Sequence, residues 1–86
     1  MFTLQTEVKC ESGLHNKQAT YFIQKANEFR SNIWIEVEER QINAKSLLGV
    51  LSMGITTGTM ATLIAEGSDE EVAVKTLAQM LEKDVY

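Results

Sequence analysis

The sequence contains no proline, and only one cysteine and one histidine, among its 86 residues. Cys10 has no second cysteine to form an internal disulfide, and one cysteine with one histidine cannot build a metal-binding cluster. We therefore expect no metal ion, no cofactor and a reducing, cytoplasmic location. The N-terminus lacks the basic and apolar segments of a signal peptide, and no apolar run approaches the length of a membrane span, so we expect no membrane insertion.

Positive charge is also scarce. Lys and Arg number 8 against 12 Asp and Glu, which gives a net charge of −4. Proteins that bind nucleic acid directly cluster basic residues against the phosphate backbone, and this balance disfavours that class. With 44% apolar and 23% charged residues, residues 1–86 are expected to form a single globular domain.

Apolar periodicity predicts seven elements. In chain order they are a strand over 2–10, a helix from Asn16 to about Arg30–Ser31, strands carrying 33–37 and 42–44, a short helix after Ser46, a strand over 61–66 and a closing helix that buries Ala73 to Leu81. The strands follow one another too closely for a parallel-only sheet, and the helices can all cover one face. The predicted fold is therefore an α+β open-faced β-sandwich of order β-α-β-β-α-β-α, in which a four-stranded antiparallel sheet carries three helices on one face.

Three local patterns refine this prediction. The turn at Glu38–Arg40 contains no Gly or Asn, so a loose loop rather than a tight hairpin is expected there. The alternation of the second strand places Trp34 on its outward face, where it serves either cross-strand packing or contact with a partner. The residues from Ser68 to Glu71 predict a capping box at the start of the closing helix.

His15 stands where a helix should begin, directly after a glycine turn. Free backbone amides and the positive helix end favour an anion there, and they keep an imidazole neutral and nucleophilic. A phosphate acceptor is one interpretation, and a surface histidine without a role is the other. A dyad with Cys10 is disfavoured, because Cys10 falls on the apolar face of a strand, where small thiols usually fill space.

Ser46 is a good N-cap for the short helix that follows it. That helix places Leu47, Leu48 and Leu51 on neighbouring positions, and so short an element cannot bury all of them. We expect an exposed apolar cluster that docks a partner, with a fully buried set as the alternative.

Two segments resemble the HPr family, the histidine-containing phosphocarriers of the bacterial phosphoenolpyruvate:sugar phosphotransferase system. Gly13-Leu14-His15, with Ala19 and Phe22, aligns with the family's usual Gly-Leu-His-Ala-Arg-Pro-Ala motif. Residues 43–54 align with the segment around the regulatory serine of HPr proteins from low-GC Gram-positive bacteria. Ile64-Ala65-Glu66-Gly67 extends the resemblance, which covers nearly the whole chain.

The resemblance implies a phosphoryl carrier rather than a stand-alone enzyme. His15 would take phosphate from enzyme I and pass it to sugar-specific IIA proteins, and HPr kinase/phosphorylase would phosphorylate Ser46 from ATP. A LacI-type catabolite control protein is a further implied partner. Lys17 would stabilise the phosphate, Asn16 and Gln18 would contact it at the helix start, and Thr20, Leu47, Leu48 and Leu51 would dock partners.

The chain departs from the family motif beside the histidine. Lys17 replaces an arginine and Gln18 a proline, so a bidentate guanidinium and a preset first turn are both lost. This drift resembles the Crh proteins, HPr-like regulators that act through the serine alone. A Crh-like catabolite-repression regulator, with weak or no carrier activity at His15, is therefore the second hypothesis. A plain interaction module is the third.

Overall fold

The described part of the chain contains seven elements, in the predicted order β-α-β-β-α-β-α. The structure, a computed structural model, describes residues 1–9 and 16–83, and of Asn16 it describes the backbone alone. The elements are β1 (Phe2–Glu7), α1 (Asn16–Ala26), β2 (Asn32–Val37), β3 (Arg40–Asn43), α2 (Leu47–Ser52), β4 (Met60–Glu66) and α3 (Glu70–Glu82).

The four strands form one antiparallel sheet in the order β1-β4-β2-β3. Strand alternation turns one face toward the helices, and there Ile35 lies in register between Leu63 of β4 and Ile42 of β3. Helix α3 packs against β1, β4 and β2, while α2 packs against β3 and α1 packs against both other helices. The predicted open-faced sandwich is confirmed.

The apolar stripes of the helices are buried as predicted. Ala19, Phe22 and Ala26 of α1 are fully buried. The inward positions of α3 are also buried, namely Ala73, Val74, Leu77, Met80 and Leu81. Burial of so many side chains, each contributing about 1.5–3 kcal/mol if large and apolar, is what holds the short helices on the sheet.

Helix α1 ends at Ala26, earlier than the predicted Arg30–Ser31. The Ile23 carbonyl accepts both the Asn27 backbone amide at 3.0 Å and the Asn27 side-chain nitrogen at 2.9 Å, so the asparagine side chain folds back on the end of the helix. Glu28 and Phe29 then make three-residue turn bonds to Lys25 and Ala26, which tighten the chain instead of continuing the helix. The apolar spacing of Phe29 therefore reflects a turn packed on the core and not a further helical turn.

The predicted loose loop between β2 and β3 is wrong. Val37 pairs with Arg40, so only Glu38 and Glu39 connect the strands, and both have positive φ, 50° and 68°. Two positive φ values are those of a type I′ hairpin, whose twist matches that of paired strands. The left-handed backbone conformation costs about 1–2 kcal/mol for each glutamate. The hydrogen-bonded pairing of β2 with β3 outweighs this cost.

The predicted capping box at the start of α3 is also corrected. The N-cap is Asp69 rather than Ser68, and its side chain makes no bond to its own helix. Instead the Asp69 carboxylate accepts hydrogen bonds from the amides of Arg30 and Ser31, at 2.9 and 3.0 Å, and from the Ser31 hydroxyl. The carboxylate thus ties the start of α3 to the segment before β2.

Trp34 lies half-buried on the open face of the sheet, opposite Ile64 of β4 and Asn43 of β3. That position agrees with cross-strand packing. No helix in the described part of the chain is long and apolar enough to span a membrane.

Candidate functional site

Helix α1 begins at Asn16, as predicted, immediately after His15 in the sequence. His15 itself, residues 10–14 and the side chain of Asn16 lie outside the described residues. The first turn of α1 carries no acidic side chain. The positive end of the helix dipole is therefore not opposed by a carboxylate of its own first turn, which favours an anion there.

Lys17 and Thr20 are exposed on α1, Tyr21 is 40% exposed, and Gln18 is half-buried. The Lys17 ammonium lies 5.9 Å from the centroid of the Tyr21 ring, one helical turn further on. A cation–π contact at an exposed position contributes about 0.5–1 kcal/mol. An anion bound near the start of α1 would compete with this ring for the Lys17 ammonium.

Ser46 is the N-cap of α2, as predicted. Its backbone is extended, with φ −101° and ψ 115°, and its hydroxyl oxygen accepts a hydrogen bond from the Gly49 amide at 3.2 Å. Its carbonyl accepts from the amide of Val50 at 2.9 Å. The side chain is half-buried, so the hydroxyl is at once a structural cap and a group at the surface.

Gly49 explains how α2 approaches the sheet so closely. A Cβ atom at this position would lie 2.6 Å from the Ile42 Cγ2 of β3 and 3.2 Å from the Ser46 hydroxyl oxygen. Any larger residue would therefore push the helix away from β3 or displace the serine. This requirement was not apparent from the sequence, because Ile42 and Gly49 meet only in the folded chain.

The three leucines of α2 divide between surface and core. Leu48 is 82% exposed and Leu47 is 40% exposed, whereas Leu51 is partly buried against the core. The fully buried alternative is therefore wrong for Leu47 and Leu48. Two adjacent exposed leucines beside Ser46 form a small apolar surface, which we call the leucine patch.

Helices α1 and α2 pack against each other, so the fold brings the helix that follows His15 together with the helix that follows Ser46. No pocket opens among residues 1–9 and 16–83. The same residues contain no cluster of three His, Cys, Asp or Glu side chains suited to a metal ion. Of the described residues of the candidate site, Lys17, Thr20, Leu47 and Leu48 lie exposed at the surface.

Sequence reasoning missed two residues near this site, Asn27 and Lys45. The Asn27 side chain joins the end of α1 to the Lys45 carbonyl, and the Lys45 ammonium reaches the Phe29 carbonyl. An asparagine just past a helical pattern is a recognisable end signal. Nothing in the local pattern of Lys45 indicates that its ammonium is used inside the fold.

Known proteins match this chain over nearly its whole length. Residues 2–83 match the family model described as the PTS HPr component phosphorylation site. HPr-like protein Crh of Halalkalibacterium halodurans is 43% identical over 84 residues, covering 98% of this chain and 100% of that protein. HPr-like protein Crh of Bacillus subtilis is 39% identical over 85 residues, covering 99% and 100%.

The fold comparison agrees. The crystal structure of a phosphocarrier protein HPr from Bacillus anthracis gives a TM-score of 0.91 at 39% identity, covering 93% of this chain and 95% of that one. The fold and the two aligned segments are thus those of small phosphocarrier-like domains. This chain belongs to the HPr family.

Proposed function

We propose that this protein is an HPr-like phosphocarrier of the bacterial phosphotransferase system. His15 accepts a phosphoryl group from enzyme I and passes it to sugar-specific IIA proteins, in the cytoplasm where these partners act. Ser46 receives a second, regulatory phosphate from HPr kinase/phosphorylase. The observation that carries the proposal is the retained His15, followed at once by a helix start with no acidic side chain in its first turn.

The chemistry of the helix start supports a phosphohistidine. A neutral imidazole nitrogen forms the bond to phosphorus as the bond to the donor breaks, and the phosphoryl group leaves again when an acceptor on the IIA protein attacks it. Amides at the start of α1 and the Lys17 ammonium would offset the charge of the phosphate between these steps. Because lysine is a point charge, and here also contacts Tyr21, we expect the phosphate to be held less firmly than by an arginine.

The leucine patch supports docking of the partners. Leu47 and Leu48 expose apolar surface directly after Ser46, where a phosphate would change the local charge by about −1.5 to −2. A phosphate there would disfavour a partner with an acidic rim, such as enzyme I, and favour one that brings arginines, such as a LacI-type catabolite control protein.

The test is incubation of the pure protein with phosphoenolpyruvate and enzyme I. We expect an acid-labile phosphate on the wild type and none on His15→Ala. A wild type that takes up no acid-labile phosphate would exclude the carrier role.

A Crh-like regulator is the second candidate function. The two curated relatives described above, at 43% and 39% identity, are both HPr-like protein Crh, and Lys17 and Gln18 depart from the carrier motif. This candidate predicts a protein that is phosphorylated at Ser46 by ATP and HPr kinase, and that then binds the catabolite control protein, while His15 takes up no phosphate from enzyme I. The same two reactions therefore separate the two candidates.

A further inference from the structure

The turn that leads into Ser46 is anchored to residues 27–29, just after α1, through two polar groups of Lys45, its carbonyl and its ammonium. The Lys45 amide donates to the Asn43 side-chain oxygen at 2.8 Å. Its carbonyl accepts from the side-chain nitrogen of Asn27 at 3.4 Å, and its ammonium donates to the Phe29 carbonyl at 2.8 Å. Two of these three bonds therefore reach across 16 to 18 residues of sequence.

The Asn27 side chain bonds both to α1 and to the turn before Ser46. The same side-chain nitrogen that reaches the Lys45 carbonyl donates to the carbonyl of Ile23, in the last turn of α1, at 2.9 Å. The turn that precedes Ser46 is thus fixed to a helix whose inner face is buried in the core.

Helix α2 cannot fix Ser46 by itself. It has six residues, and an isolated helix of that length is unstable in water. The Ser46 amide donates to the Asn43 carbonyl at 3.1 Å, so the position of the serine depends on the anchored turn as well as on α2. The Asn27 side chain reaches this turn from the end of α1, and the Lys45 side chain reaches Phe29, whereas the Ser46 hydroxyl accepts from the Gly49 amide.

We propose that Asn27 and Lys45 are positioning residues for the phosphorylation of Ser46. The proposal rests on the regulatory part of the proposed function. In the transfer, the Ser46 oxygen forms a bond to the γ-phosphorus of ATP, the bond to the bridging oxygen of ADP breaks, and the hydroxyl proton passes to a base of the kinase. Such a step requires the oxygen in line with the donor, and a displacement of about 1 Å costs about 100-fold in rate.

The experiment compares Asn27→Ala and Lys45→Met with the wild type, using ATP and HPr kinase. Positioning predicts a fall in kcat of about 10-fold to 100-fold with little change in KM. Lys45→Arg, which keeps a donor for the Phe29 carbonyl, should restore most of the rate. Gln24→Ala, an exposed change on the same helix, is the matched control and should leave kcat unchanged.

Amide hydrogen exchange of the free protein separates positioning from direct contact with the kinase. We expect faster exchange at Lys45 and Ser46 in Asn27→Ala, with the rest of the protein folded by its melting curve. Unchanged exchange, or a loss seen only in KM, would make these residues kinase contacts and overturn the proposal. A wild-type kcat in Asn27→Ala would overturn it too, whereas a wild type that is not labelled at Ser46 would remove the proposed regulatory function and this inference with it.

Discussion

The hydroxyl oxygen of Ser46 accepts the amide hydrogen of Gly49, so the residue proposed for regulation also caps helix α2. Phosphorylation leaves acceptor oxygens at this position, and so does aspartate. The two roles of Ser46 therefore make separable predictions for two substitutions.

Ser46→Asp should keep the melting temperature close to that of the wild type, because aspartate caps a helix about as well as serine. Ser46→Ala should lose about 1 kcal/mol, or about 4–8 °C for a domain of this size. In the enzyme I assay, Ser46→Asp should slow transfer to His15 while Ser46→Ala does not. If Ser46→Asp melts as low as Ser46→Ala, the cap is not what the serine contributes.

The leucine patch should contribute to docking and little to folding. Leu48 is 82% exposed, so Leu48→Ala should leave the melting temperature almost unchanged. It should raise the KM of the chain as a substrate of enzyme I about fivefold or more, the effect of losing about 1 kcal/mol of contact energy. Val72→Ala is the matched control, since Val72 is 60% exposed on α3. Equal effects of the two changes would mean that Leu48 has no specific docking role.

Lys17→Arg should speed phosphoryl transfer through His15, because a planar guanidinium can hold the phosphate with two hydrogen bonds. Adding Gln18→Pro should increase the rate further by fixing the first turn of α1. Lys25→Arg, at the other end of the same helix, is the control for the added guanidinium. Should neither Lys17→Arg nor the double variant change the rate, the departures from the family motif are not what distinguishes this site.

Much of the candidate site on α1 and α2 could be predicted from local sequence. Ala19 and Phe22 mark the buried face of α1, and Ser46 followed by a short apolar run predicts a capped helix with exposed leucines. Each of these signals lies within one helical turn, where spacing and capping rules apply directly.

The features that sequence did not predict depend on distant residues. Glu38 and Glu39 have no local preference for positive φ, and the pairing of β2 with β3 imposes it. In the sequence Asp69 belongs to a capping-box pattern. In the folded chain its carboxylate instead accepts a hydrogen bond from the amide of Ser31, which lies 38 residues earlier. The anchoring of Lys45 by Asn27 and Phe29 is of the same kind.

The Asp69 contact predicts a dependence of stability on pH. Hydrogen bonds from the Ser31 hydroxyl, and next from the Arg30 amide, lower the pKa of Asp69 below its ordinary value of 3.8. A carboxylate with a lowered pKa in the folded state contributes stability above its unfolded pKa, and this stability is lost as the pH falls through the folded pKa. The contribution should therefore be complete near neutral pH and decrease as the pH falls below the ordinary value of 3.8.

Thermal unfolding of wild type and Ser31→Ala at about pH 7 and about pH 3 tests this dependence. The gap between the two melting temperatures should be larger at neutral pH than at acid pH. Asp69→Asn, which cannot ionise, should show the weaker pH dependence of the two variants. A gap that is the same at both pH values would assign the effect of Ser31 to packing alone.

We propose that one small domain carries a transferable phosphate on His15 and a regulatory phosphate on Ser46. Mass spectrometry under non-acidic conditions, after separate reactions with phosphoenolpyruvate plus enzyme I and with ATP plus HPr kinase, locates each phosphate directly. We expect phosphate on His15 in the first reaction and on Ser46 in the second. Phosphate on Ser52 or Ser68 instead of Ser46, together with an unmodified His15, would contradict it.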